Sequence, residues 1–258
     1  MGDMGTPEYL VRVAKDYLKQ ADDDFFRNYD PQEMLDIMDA NGVERAIITC
    51  DVRKPGDHAL SFVDGHADRF SLGVQLDPTQ LMKHVRALEA VKKDHPVVLA
   101  RITPFYLDRP PTDPCYYPFY AKCVELDLPL TINTGIPGPP MPGECQNPMY
   151  LDRVCLDFPQ LKLVMAHGAD PWWSVAMRLM LKYRNLYLKT SAYLPKYLPP
   201  ELVHFMNTRG KNKVIWASDH PALQMKRCLD EAQKLDLREG VLDKYLYANA
   251  AKVFFGEE

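Results

Sequence analysis

Short β-branched and apolar runs recur along the chain, with helix-patterned stretches between them. The runs are Val43–Thr49, Ser71–Leu76, Val97–Ile102, Leu128–Ile132, Lys162–Ala166, Leu186–Lys189 and Lys213–Ala217. They recur roughly 30 residues apart, the length of a strand–helix unit. Strands alternating with helical patterns predict a parallel sheet. The stretches AIIT, VVLA, KLVMA and VIWA are apolar at consecutive positions, as strands covered on both faces must be. The helices carry their own start signals. Asp30-Pro31-Gln32-Glu33 offers an N-cap, a proline at the first helical position and a glutamate three residues after the cap. Met34, Leu35, Ile37 and Met38 follow, and Gly42 closes that helix. Asp77-Pro78 repeats the start before Leu81, Val85, Leu88 and Val91, which makes Asp77 an N-cap in this reading. Pro171-Trp172-Trp173 opens another helix, and Leu202–Met206 and Leu223–Leu235 give two more.

Seven such strands fit an open doubly wound sheet or a closed (β/α)8 barrel of the TIM type. The first run ends in Thr49-Cys50-Asp51-Val52-Arg53, and the chain contains no glycine-rich phosphate loop. That favours the barrel, as one domain over residues 1–258 with one strand fewer than eight. Thr6-Pro7-Glu8 reads as a helix start, so residues 1–29 are expected to form an N-terminal helical segment. Residues 136–148, IPGPPMPGECQNP, follow the fourth run and sit where a barrel keeps its active-site loops.

Composition narrows the class. With 31 Lys and Arg against 35 Asp and Glu, the net charge is −4. Mixed signs and a mild acidic excess give no footprint for nucleic acid or an anionic membrane. No apolar run approaches the length of a membrane span, and Met1 to Lys19 holds no signal-peptide core. The six cysteines form no CxxC pair, so they read as reduced thiols of a cytoplasmic protein. The 22 prolines are scattered as punctuation.

In a barrel, polar residues just past the strand ends face the site. Here these include Asp51 and Arg53, Gln75 and Asp77, Arg101 and Thr103, Asn133 and Thr134, His167 and Asp170, Lys189 to Ser191, and Asp219 and His220. His167 and Asp219 stand out. They follow strands two apart, and an imidazole with a carboxylate in one mouth makes an acid–base or metal-binding pair. The stretch FPQLKLVMAHGAD resembles the sixth-strand signature of the amidohydrolase-related proteins, the group that includes aminocarboxymuconate-semialdehyde decarboxylase. Tyr183–Ser191 is similar to that family's seventh strand and Val214–Pro221 to its eighth. Asn249–Phe254 resembles its final helix, and His66–Phe70 the segment leading into its third strand. Five weak motifs in order make a specific match over roughly residues 30–258. The resemblance implies a (β/α)8 barrel and a small-molecule hydrolase or non-oxidative decarboxylase.

The departures also carry information. That family opens with a strand bearing HxH or ExH, which supplies two metal ligands. None of the seven histidines pairs at that spacing, and the first recognisable strand aligns with the family's second. The family's fifth strand ends in a metal-binding histidine, where this chain has Asn133, and an amide oxygen is a poor zinc ligand. Only Asp219 remains of the usual four. No cofactor is therefore expected firmly, with zinc or another divalent metal on Asp219 as an alternative. The leading expectation is a hydrolase of a carboxylated small molecule, a lactone or ring-derived acid. Asp219 would be general base and His167 would polarise the substrate, with Arg101, Asn133, Lys189, Ser191 and Trp172 binding it. A metal-dependent decarboxylase is one alternative. The other is a non-catalytic barrel whose aromatic clusters, Tyr116-Tyr117-Phe119-Tyr120 and Trp172-Trp173, serve partners. Open edges left by a missing strand predict that something fills the gap, either the segment before Asp30 or a second copy in a homodimer.

Overall fold

The computed structural model describes residues 11–13, 15, 27–51 and 58–257. The expected N-terminal helix over 1–29 lies almost wholly outside them, apart from 11–13 and 15, which are helical. Arg53 also lies outside the described residues.

The first described helix, α1 (Pro31–Ala40), starts as its sequence dictates. Asp30 is extended, and its carboxylate accepts from the backbone N–H of Gln32 and Glu33. The Glu33 carboxylate pairs with the Arg27 guanidinium and also draws on the backbone N–H of Asp30, the reciprocal half of the capping box. The chain then alternates: β1 (Ala46–Cys50), α2 (His58–Val63), β2 (Phe70–Gln75), α3 (Leu81–Asp94), β3 (Val97–Ile102), α4 (Tyr117–Glu125), β4 (Leu130–Asn133), α5 (Leu151–Asp157), β5 (Leu163–Ala166), α6 (Trp173–Lys182), β6 (Leu186–Lys189), α7 (Pro200–Met206), β7 (Val214–Ile215) and α8 (Met225–Ala232). A helical stretch over 241–255, α9, ends the fold. Asp77 caps a 3-10 turn, Pro78–Gln80, ahead of α3 by accepting from Thr79. The helices α2, α4 and α5 carried no start signal that the hydrophobic pattern picked out. None of the described helices is long and apolar enough to cross a membrane.

The seven strands form one parallel sheet in sequence order, β1 to β7. The sheet curls far enough that Ile47, Leu99, Val164 and Ile215, from alternate strands, meet in one interior layer. This layering from alternate strands is how a β/α barrel fills its inside. Gly73 makes the layer fit: a Cβ there would lie 2.7 Å from Leu99 Cδ1. The architecture is a (β/α) barrel one strand short. Tyr116, Phe119 and Tyr120 are buried in the core beneath the helices, so this aromatic cluster packs the fold.

β1 and β7 are the two edges. Among the described residues it is α9 that meets them. Trp216, just past β7, donates its N–H to Tyr245 O at 2.9 Å. Asn249 Nδ2 donates to Val214 O at 2.8 Å and to Lys211 O at 3.1 Å. On the other side Arg45, which leads into β1, binds Glu257 through two bonds of 2.6 and 2.9 Å and lies over the Phe255 ring. Val253 and Phe254 join the interior layer. An edge strand must satisfy or hide its free backbone groups. Here the chain's own C-terminal helix does so for β7, an occupant that the sequence reading did not name.

Candidate active site

The strand parity that sends Ile47, Leu99 and Ile215 inward also sends inward the residues two and four positions further on. Thr49, Arg101 and Asp219 thereby line one cavity of about 810 Å³, joined by Thr131, Lys189 and Ser191; it runs along the seam between β1 and β7, from Asn41–Arg45 to the C-terminal strand ends. Ile47, Leu99 and Ile215 form its apolar floor. Two further signals place the acid and the imidazole. His167, the first residue after β5, and Asp219, four residues past β7, both adopt the left-handed conformation, with φ of 64° and 62°. Non-glycine residues held there are uncommon and concentrate at functional sites. Gly168 follows with φ 70°, and a Cβ on it would meet the Trp173 ring at 2.5 Å.

The polar contacts converge on Arg101. Its Nη2 donates to His167 Nε2 at 2.9 Å and to Asn133 Oδ1 at 3.3 Å. A guanidinium has no acceptor, so His167 Nε2 must be the unprotonated nitrogen. The ring proton therefore sits on Nδ1, which is 3.3 Å from Ser191 Oγ and 3.8 Å from Asp219 Oδ2. Ser191 Oγ also accepts the His167 backbone N–H at 3.2 Å. Burial, together with the charges of Arg101 and Lys189, lowers the His167 pKa to about 4 against the opposing pull of Asp219. The imidazole is thus neutral at physiological pH. Burial and the charge of Arg101 also lower the Lys189 pKa to about 8, again against Asp219.

The structure therefore gathers Asp219, Arg101, Lys189 and Ser191 around one cavity. Asn133 is buried and His167 nearly so, and neither lines the cavity. Their polar atoms hold Arg101 from behind. Trp172 stands at the start of α6 and does not line the cavity either. The 136–148 loop fastens to the ends of β4 and β5, through Ile136 N–H to Asp170 O and Gln146 Nε2 to Gly135 O, both at 2.8 Å. It contributes nothing to the cavity wall. Thr49 and Thr131 were not singled out from the sequence. For Thr49 the signal is parity, two positions beyond the inward Ile47; Thr131 lies in register with the inward Arg101 of β3.

The family model described as amidohydrolase matches residues 14–256. No curated protein matches the chain. Among solved structures, the chain resembles an uncharacterized TIM-barrel protein of Bordetella bronchiseptica, with TM-score 0.76 and 21% identity over 86% of this chain and 81% of that one. It also resembles 5-carboxyvanillate decarboxylase of Sphingomonas paucimobilis, with TM-score 0.69 and 20% identity over 86% and 82%. A third is a dihydroxybenzoic acid decarboxylase of Polaromonas with bound manganese and 2-nitroresorcinol, with TM-score 0.69 and 17% identity over 97% and 94%. At these identities the likeness is one of fold.

The manganese in that neighbour makes a divalent metal the natural test of this mouth. No group of three His, Cys, Asp or Glu side chains gathers among the described residues. The lone pairs that face each other, His167 Nε2 and Asn133 Oδ1, are both taken by a resident cation. Hard divalent ions need several carboxylate or carbonyl oxygens, and zinc needs imidazole, thiolate or carboxylate. The residues present do not fit one.

Proposed function

The chain belongs to the amidohydrolase family, and we propose that it removes the carboxylate of a small ring acid as CO2. One observation carries this reading: where the cavity reaches the strand ends, two cationic side chains, Arg101 and Lys189, stand beside the carboxylate of Asp219. Two cations in a half-buried pocket suit a substrate with a carboxylate and a second electron-rich oxygen, such as a phenol. The fold neighbours whose names are those of carboxyvanillate and dihydroxybenzoate decarboxylases support the same choice.

In this mechanism Arg101 holds the substrate carboxylate and Lys189 draws charge toward the ring oxygen. Asp219 carries a proton to the ring carbon that bears the carboxylate. The carbon–carbon bond then breaks, its electron pair returns to the ring, and CO2 leaves. Net, the substrate anion and one proton become the decarboxylated ring and CO2, with Asp219 reprotonated from solvent. His167 stays neutral, and its Nδ1–H is aimed at Ser191 and Asp219.

Incubation with 2,6-dihydroxybenzoate or 5-carboxyvanillate in deuterated water tests this. The expected result is CO2 with one deuterium at the vacated carbon. Asp219→Asn should lower the rate by ~10²–10⁴, the range for loss of a general acid–base group. Lactone opening with incorporation of solvent oxygen, and no CO2 from any ring acid, would restore the hydrolase expected from the sequence.

A further inference from the structure

The contacts of Arg101 have a meaning beyond substrate binding. Metal ions bind lone pairs, and the lone pairs that converge at the ends of β4 and β5 are Asn133 Oδ1 and His167 Nε2. Arg101 Nη2 carries two N–H groups, and both are spent on those atoms. The arrangement is reinforced on every side. The backbone of His167 is pinned by Ser191 Oγ. The neutral imidazole presents Nε2 as an acceptor because its proton is on Nδ1. Asn133 stands where a stronger ligand would compete with the guanidinium. The second positive side chain, Lys189, lines the same cavity, and two fixed cations raise the electrostatic cost of adding a third.

Arg101 also has an unused donor. Its Nε is buried and has no partner among the described residues. Buried N–H groups without partners are rare in folded proteins and mark places where something else completes the bonding. Arg101 reaches the cavity wall, so a carboxylate entering there meets the part of the guanidinium that Asn133 and His167 leave free, while Nε itself is closed to a water-sized group in this structure.

We propose that Arg101 is the built-in electrophile of this barrel, standing where a divalent ion would otherwise be held, and that the site binds its carboxylate substrate without a metal. Asn133 and His167 are positioning residues that aim the guanidinium. The proposal deepens the decarboxylase reading but rests on it only for the identity of the anion.

Its test therefore uses binding, with benzoate as the probe. Protein expressed in medium supplemented with zinc and manganese is assayed for metal content and titrated calorimetrically with benzoate, Zn²⁺ and Mn²⁺. The expected result is sub-stoichiometric metal, no saturable metal binding in the micromolar range, and benzoate affinity indifferent to EDTA. Arg101→Met should weaken benzoate at least tenfold. Nitrogen NMR should also show His167 leaving the Nδ1–H tautomer and becoming easier to protonate, a change that general loosening of the fold would not produce selectively. If Arg101→Met does not fold, Arg101→Lys keeps the charge but not the two-pronged hold, and the same tautomer shift is expected. Stoichiometric Zn²⁺ or Mn²⁺ lost in Asp219→Asn would overturn the proposal. So would unchanged benzoate affinity in a folded Arg101→Met variant. Arg101-dependent benzoate binding without any CO2 release would leave the proposal standing and remove the decarboxylase reading instead.

Discussion

Lys189 shows how a single residue trades stability for function. Its ammonium is held in a cavity where burial and Arg101 both oppose the charge, so its pKa falls to about 8. The unfolded lysine titrates near ~10.4. Between those values the unfolded chain binds more protons, so this residue's contribution to stability rises with pH across that window. Lys189→Met should therefore raise the thermal midpoint, by an amount equivalent to ~1 kcal/mol or more, because a buried charge is replaced by an apolar stem of similar length. The same variant should bind benzoate more weakly. Benzoate affinity of the unaltered protein should fall as pH rises through about 8, when the ammonium is lost. Calorimetry across pH 7 to 9 checks this, and a flat profile would remove Lys189 from the anion site. His167 works in the same sense lower down. Its folded pKa of about 4 lies below the unfolded ~6.5, so its stability contribution is complete above ~6.5 and is lost as pH falls toward 4. These residues were legible in the sequence because strand-end position and inward parity are sequence properties. That Asn133 and His167 face Arg101 was not legible. It depends on how the ends of β3, β4 and β5 approach one another, and no local pattern encodes that.

At the scale of elements, the strands were legible and the closure was not. The β3 run, Val97–Ile102, and the β6 run, Leu186–Lys189, form strands over the very residues that read as apolar. β7 is shorter than its run, because beyond Ile215 the chain leaves the ladder and Trp216 bonds to α9 instead. The final helix was recognisable from Asn249–Phe254, but nothing in that stretch announces that it packs between the two sheet edges. Asn249 is the residue most dependent on this arrangement, since it is buried and donates twice to backbone carbonyls. Asn249→Ala leaves Val214 O and Lys211 O without those donors, and the expected loss is ~1–3 kcal/mol. Urea unfolding should show it as a lower midpoint with an unchanged slope. A loss within experimental error would mean that α9 does not hold the β7 edge.

For the whole molecule, the contrast is between a chain of net charge −4 and a cavity lined by four cationic side chains, Arg45, Arg101, Lys189 and Lys226, against three carboxylates, Glu44, Asp219 and Asp230. A positive pocket in a mildly acidic body concentrates small anions at one place and offers nothing to polyanions. The barrel supplies this by converging side chains from β3, β6 and the end of β7 on one mouth. That is a property of the fold class; strand spacing left an open sheet and a barrel in play, and the absent glycine-rich loop with the strand-end motifs decided between them. The reaction was harder to read. The same carboxylate and imidazole serve a hydrolase or a decarboxylase, and the chain keeps only one of the metal ligands that its family resemblance implies.

The most direct measurement follows carboxyl-¹³C-labelled 2,6-dihydroxybenzoate and 5-carboxyvanillate with protein that has been exhaustively treated with chelator. The account predicts ¹³CO2 at a rate unaffected by added Mn²⁺ or Zn²⁺, and lowered ~10²–10⁴-fold by Asp219→Asn and sharply by Arg101→Met. Release of ¹³CO2 only after Mn²⁺ or Zn²⁺ is restored, or full release by the Arg101→Met protein, would contradict it.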